Sequence, residues 1–233
     1  MKKSLSTLLL LASSISVQAS PVLPTLASEL LNGGFESPAY NARSYHIIDE
    51  SYVPYWETTA SDNKIEIWSN EFNGVKSFEG NQHAELNANS VGTLYQTTAA
   101  VQNGAELGFK FAHRGRSGID TLKLTITDLG SDNIFGTSDD LSIFSKKYST
   151  GKEAWTQYTN AGEDLILSLG NVMRFSYVSI ASAGSDSYGN FLDDVSFSHT
   201  QSNVSAVPVP AAFWMFGSGL LGFIGMRKNS LNA

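Results

Sequence analysis

Between Leu30 and Phe197 the chain alternates apolar and polar residues in short runs separated by Gly, Asn, Asp and Ser. Ala105–His113 puts Leu107, Phe109 and Phe111 on one face, with Glu106 and Lys110 on the other. Thr121–Thr127 sets Leu122, Leu124 and Ile126 against Thr and Lys. Met173–Ala181 carries Phe175 and Tyr177 on one side and Val178 and Ile180 on the other, and reads as buried on both. Lys64–Trp68, Gly92–Thr97, Leu141–Tyr148, Trp155–Thr159 and Asp164–Leu169 supply further candidates. A period of two marks strands, and no stretch of the body holds a helical stripe. Many short strands with polar turns predict an all-β fold, a single antiparallel β-sandwich or jelly roll over residues 30–197. No internal repeat is visible, so one domain is expected.

The pattern changes at both ends. Lys2 and Lys3, an apolar run from Leu8 to Val17 and Val17-Gln18-Ala19 read as a secretory signal over residues 1–19. Residues 20–29 form a short lead-in, and Ser198–Ala206 is a polar linker without periodicity. The tail reads VPVPAAFWMFGSGLLGFIGMRK over 207–228, and residues 229–233 trail it. Its prolines stop any arriving element. The uncharged run Ala211–Met226 is 16 residues, closed by Arg227 and Lys228. As a helix it rises roughly 24 Å, against a hydrocarbon core of roughly 30 Å. The residues back to Val207, or local thinning of the bilayer, close that gap. The basic pair then faces the cytoplasm and the body lies outside.

Val207, Pro208, Pro210, Ala211 and Ala212, the Gly-rich apolar run and the pair Arg227–Lys228 resemble the PEP-CTERM sorting signal of Gram-negative envelopes. The trailing Asn229–Ala233 is a small departure from that pattern. The resemblance implies a transmembrane sorting helix, an exosortase-type processing enzyme as partner, and export across the inner membrane. The destination it implies is the cell envelope, the surface or an exopolysaccharide-rich biofilm matrix.

Charge narrows the partners. All 22 acids lie between the two terminal segments, whereas four of the fifteen bases (Lys2, Lys3, Arg227, Lys228) fall inside those segments. The exported body therefore carries 11 bases against 22 acids, a formal −11. Such a surface repels nucleic acid and attracts divalent cations. There is no cysteine, which removes thiol nucleophiles and cysteine metal sites, and four scattered histidines give no zinc spacing.

Two groups of acids are candidates for calcium. Near the start stands Asn32-Gly33-Gly34-Phe35-Glu36, and near the end Gly189-Asn190-Phe191-Leu192-Asp193-Asp194-Val195. Regular alternation puts Phe191, Asp193, Val195 and Phe197 on one face, so Asp193 is an ionisable group in an apolar row. A buried carboxylate needs a cation or several donors beside it. Calcium, or a cap on backbone N–H groups, would serve. These two motifs resemble the opening and closing strands of galactose-binding-like β-sandwiches common among carbohydrate-binding modules. That resemblance implies a structural calcium held by Glu36 and Asp193, with Asp194 as an alternate. The second group is Asp128, Asp132, Asn133, Asp139 and Asp140, in a thirteen-residue Gly-containing stretch between two strands. Crowded like charges are relieved by calcium, and Asx-turn chemistry explains the same residues without it.

A third group points to glycan. Apolar rows (Ile65, Ile67; Ala84, Leu86, Ala88) leave Glu66, Trp68, His83, Glu85 and Asn87 on opposite faces, and Tyr95 opposes Leu94. Trp56, His113, Arg114 and Arg116 join from neighbouring segments. If the strands share a sheet, one face holds aromatic rings beside carboxylates and amides, which is how proteins grip sugars. The alternative is that Trp56 and Trp68 pack a core and His113–Arg116 form a salt-bridged turn. The sequence therefore favours an exported, non-enzymatic, calcium-stabilised sandwich that binds glycan. One rival is a structural or adhesion protein with protein partners only. The other is a polysaccharide-degrading enzyme using Glu66 and Glu85 as its two carboxyls.

Overall fold

The computed structural model describes residues 29–200. Twelve strands follow one another: β1 Tyr45–Asp49, β2 Glu57–Thr58, β3 Lys64–Ser69, β4 Gln82–Glu85, β5 Thr93–Thr98 and β6 Glu106–Arg114, then β7 Asp120–Asp128, β8 Leu141–Thr150, β9 Thr156–Thr159, β10 Ile166–Leu167, β11 Met173–Ala181 and β12 Phe191–His199. They form a seven-stranded sheet, β1-β3-β4-β12-β6-β10 with β9 also on β6, and a five-stranded sheet, β2-β5-β11-β7-β8. Every strand pairing is antiparallel. The two sheets enclose one core, so the body is a β-sandwich. Among the described residues no helix is long and apolar enough to cross a membrane. The leader 1–19 and the sorting tail 207–228 lie outside the described residues.

Period-two alternation builds this core directly. Leu107, Phe109 and Phe111 of β6 meet Leu122, Leu124 and Ile126 of β7, while Ile65, Ile67 and Ala84 close the other side. Each fully buried side chain of this size contributes about 1.5–3 kcal/mol. In β11, Phe175 and Tyr177 enter the core as expected; on the outer face Arg174 and Ser176 are buried, Val178 is half-buried and Ile180 exposed, so that face opens only toward the end of the strand. β12 extends through His199, past the start expected for the linker.

β12 also breaks the expected alternation. Asp194 takes φ +49°, and the register with β6 shifts between Asp193 and Ser196. This bulge turns the strand over. Phe191 and Asp193 face outward, whereas Leu192, Val195 and Phe197 join the central core. Aspartate tolerates the left-handed region better than most residues, and that permits the turnover.

A second, smaller core lies on the outside of the seven-stranded sheet. Trp68, Val75 and Phe191 are buried there, with Phe72 and Trp155 packed against them. The segment after β3 folds back through a Phe72–Val75 bridge and becomes the cover of that face.

Candidate functional site

Glu66 and Trp68 stand opposite Glu85 and His83 on neighbouring strands. All four point away from the core because Ile65, Ile67 and Ala84 between them point into it. The face they share is sealed: Glu66 is 3 % exposed, Trp68 1 %, and His83 and Glu85 0 %. Trp68 packs edge-on against Phe72 and Phe191, so it is a core ring and not a sugar platform. Its Nε1 donates to Glu66 Oε1 at 2.7 Å. Arg116 donates through one nitrogen to both Glu85 oxygens at 2.9 Å, and the Gly189 N–H also donates to Glu85. The Arg116 guanidinium lies over Tyr188 at 3.8 Å and over Trp68 at 4.7 Å. Burial, and then the charge of Glu66, push the Glu85 carboxyl up to about 9; burial also raises Glu66. Two carboxyls so placed retain a proton between them. A glycosidase needs its sugar between two accessible carboxyls; these two are enclosed by protein.

The remaining members of the group separate. Trp56 is 1 % exposed, stacks on Phe35 at 4.8 Å and donates from Nε1 to the Asn32 carbonyl, which makes it core packing. Both ring nitrogens of His113 are engaged, by Thr150 Oγ1 at 2.8 Å and Asn190 Oδ1 at 2.9 Å, and burial lowers it to about 4. Asn87 is buried and donates to the Tyr188 carbonyl, tying down the approach to β12. Arg114 is half-buried, its Nε donating to the Lys152 carbonyl. Tyr95 lies on β5, in the opposite sheet from β3 and β4.

The two terminal motifs do meet. The Val195 N–H donates to the Gly33 carbonyl at 3.0 Å. Asp193 accepts from the N–H groups of Phe78, Glu79 and Asp194, and burial raises it to about 7. Glu36 accepts from Asn81 and Gln82. Asp194 turns to Lys110 Nζ at 2.8 Å and to Gln157. Carboxylate oxygen suits a hard cation, yet among the described residues no three His, Cys, Asp or Glu groups gather as a metal cluster. Asp193 is thus held by backbone donors.

The acidic loop between β7 and β8 holds itself together in the same way. Asp139 accepts from Thr137 Oγ1 and from Ser131 N–H and Oγ, which lower its carboxyl to about 2. Asp132 accepts from Ile134 N–H, Asp140 from Gly136 N–H, and Asp128 from Gly130 N–H and Asn171. Asn133 takes a left-handed φ of 58°. These are Asx-type turns.

That loop also carries Phe135 to the outer face of the five-stranded sheet. There the Arg174 guanidinium lies 3.3 Å from the centroid of Tyr95 and 3.9 Å from that of Phe135, layered between the two rings. Tyr95 Oη donates to Glu57 Oε2 at 3.2 Å. Strand register lines up Glu57, Tyr95, Ser176, Thr125 and Ser145 across all five strands. Ser176 is buried, Tyr95 and Thr125 are half-buried, and Glu57 and Ser145 are exposed. The Arg174 side chain is itself buried. An aromatic ring, a stacked guanidinium, a carboxylate and several hydroxyls therefore share one row on this outer face, open to solvent at Glu57 and Ser145. Of the sequence-derived group only Tyr95 belongs to it. Glu57, Phe135 and Arg174 were not anticipated. A charged residue breaking the apolar run Met173–Ala181 was the one available signal for Arg174.

No family model matches the chain, and a search of curated proteins found no match. Among solved structures it is similar to the N-terminal cellulose-binding domain of Cellulomonas fimi β-1,4-glucanase C, with 10% identity and a TM-score of 0.45 over 77% of this chain and 99% of that one. It is also similar to the CBM22-2 xylan-binding domain of Paenibacillus barcinonensis Xyn10C, with 10% identity, a TM-score of 0.44, and 68% and 100% covered. A third is TmCBM61 in complex with β-1,4-galactotriose, with 14% identity, a TM-score of 0.39, and 73% and 97% covered.

Proposed function

We propose that this chain is an exported, non-catalytic glycan-binding protein of a bacterial envelope or matrix. Its ligand lies along this row on the outer face of the five-stranded sheet. The observation that carries the reading is the layered Tyr95–Arg174–Phe135 stack beside Glu57 and a row of hydroxyls. A sugar ring offers one C–H face to an aromatic surface, while its hydroxyls need donors and acceptors in the ring plane. Arg174 is fixed by stacking, so its in-plane N–H groups are oriented before a ligand arrives. The leader and the PEP-CTERM-like tail support the address. The sealed Glu66–Glu85 pair gives the enzymatic alternative no open site. A purely structural role would leave this row without a ligand.

The test is a glycan array followed by titration calorimetry with matrix polysaccharide. Tyr95→Ala is expected to weaken binding about tenfold or more, as loss of a central aromatic anchor does, while the melting midpoint stays within a few degrees. Absence of any glycan ligand, or affinity indifferent to Tyr95→Ala, would remove the reading.

Calcium belongs to the proposal only as a structural ion implied by the resemblance. Glu36 and Asp193 would be its carboxylate donors, with Asp194 the alternate, and each already has a partner within the chain. Melting with millimolar calcium and with EGTA is the measurement. A midpoint raised by calcium and lowered by EGTA supports the ion; one that does not move excludes it.

A further inference from the structure

The 11 bases of the body face twice as many acids, so a base without a carboxylate partner is the unexpected case. Six of them, Arg43, Lys64, Lys76, Lys110, Arg116 and Lys146, form ion pairs. Among the described residues the other five, Arg114, Lys123, Lys147, Lys152 and Arg174, have no carboxylate within 4.0 Å. Three of these share one surface. Lys123 lies between the core residues Leu122 and Leu124, so its side chain projects from the outer face of the five-stranded sheet. Lys147 is its cross-strand partner on β8. Arg174 projects from the same face two strands from Tyr95's edge partner Glu57. Like charges directly opposite each other in a sheet are destabilising. An acidic protein that keeps such a pair without an ion-pair partner on one face carries there a local charge opposite to its net charge. Glu57 and Asp140 lie near Arg174; Glu57 is at the opposite edge of the sheet from the two lysines, and Asp140 precedes β8 at the end away from Lys147.

We infer that this face takes an acidic polysaccharide, one whose sugar rings bear carboxylates. A ring stacks at Tyr95, and a carboxylate further along the same chain reaches Lys123 and Lys147. Two strand spacings and one step of the pleat separate Tyr95 from Lys123, roughly 12 Å. That span calls for an oligosaccharide and not a single sugar. The two ends have different tasks: stacking at Tyr95 holds any suitable ring, and the lysine pair selects charge. This inference rests on the glycan reading above, and the two fail differently.

The experiment titrates the protein with polygalacturonate and alginate, with the same two polymers after carboxyl reduction, and with dextran sulfate. The wild-type protein is expected to bind at least one native polymer about tenfold more tightly than its reduced form, and raising salt from 50 to 300 mM should erode that preference. The double substitution Lys123→Gln/Lys147→Gln should bind native and reduced polymer alike and should melt no lower than wild type, since it removes a repulsion. Tyr95→Ala should weaken binding to both forms. Equal wild-type affinity for native and reduced polymers overturns the acidic specificity and leaves glycan binding standing. Equal or tighter binding of dextran sulfate means unselective polyanion capture and also overturns it. No binding of any polymer removes both readings.

Discussion

Gly33→Ala is expected to abolish the folded state or weaken it by more than about 3 kcal/mol, beyond ordinary overpacking. An added Cβ would overlap the Val195 carbonyl oxygen and stand 2.8 Å from the carbonyl carbon. Both partners are backbone, so no side chain can swing aside. The same close approach carries the Val195 N–H bond to the Gly33 carbonyl. It brings the first motif of the body onto the bulge of β12, beside the buried carboxylate of Asp193. The neighbouring glycine is the control. A Cβ at Gly34 would sit 3.8 Å from Glu36 Cγ and 3.9 Å from Asp193 Oδ1, which is ordinary contact. Gly34→Ala should change stability by less than about 1 kcal/mol, since surface changes without a clash cost little. Urea unfolding of the two variants checks the pair. Equal midpoints for both would mean that the terminal motifs do not dock as described.

This docking shows what was legible in the sequence. Asn32–Glu36 and Gly189–Val195 stood out as a pair because each combined glycine and asparagine with acids in an apolar setting, and they do meet. The alternation of β6 and β7 was legible for a similar reason: each strand has the core on one side only. Alternation assigns a residue to a face but cannot tell whether that face meets water. Glu66, Trp68, His83 and Glu85 share a face as their spacing required, but Phe72, Val75 and Trp155 come from other segments and cover it. Trp56 shows the same gap, since a loop residue has no period to place it against Phe35. The break at Asp194 lay beyond a period-two reading because a bulge is a backbone event without a fixed sequence code. Tyr95 could not be assigned to a sheet, because strand order depends on contacts between distant residues. The row beside Tyr95 was missed for that reason. Its members come from β2, β5, β7, β8, β11 and the acidic loop, and no two of them are neighbours in sequence.

The sealed pair at Glu66 and Glu85 predicts an unusual pH profile. Unfolding stability is expected to be nearly flat from about pH 5 to 7 and to fall toward pH 9. Glu85 has a folded value of about 9 against an ordinary 4.5. Its contribution is therefore complete below pH 4.5 and is lost as pH rises through the folded value. Asp193, raised from 3.8 to about 7, acts in the same direction over a lower window. His83 and His113 act oppositely. Burial lowers them from 6.5 to about 3 and about 4, so their contribution grows as pH rises to 6.5 and then saturates. Two acids and two histidines nearly cancel in the middle range. Above pH 7 only the carboxyl pair still holds a proton that the unfolded chain has released. One retained proton is worth at most about 1.4 kcal/mol per pH unit, so the loss between pH 7 and 9 is about 2 kcal/mol once partial hydration and the Arg116 charge are allowed for. Arg116 limits the fall, since a guanidinium on both Glu85 oxygens favours the ionised form that burial opposes. Glu85→Gln keeps the size and one acceptor while removing the proton, so its stability should be level across the alkaline range. Denaturant midpoints at pH 5, 7 and 9 for wild type and Glu85→Gln are the measurement. A wild type as stable at pH 9 as at pH 7, or a variant that falls in parallel with it, would mean that the pair does not hold a proton in the folded chain.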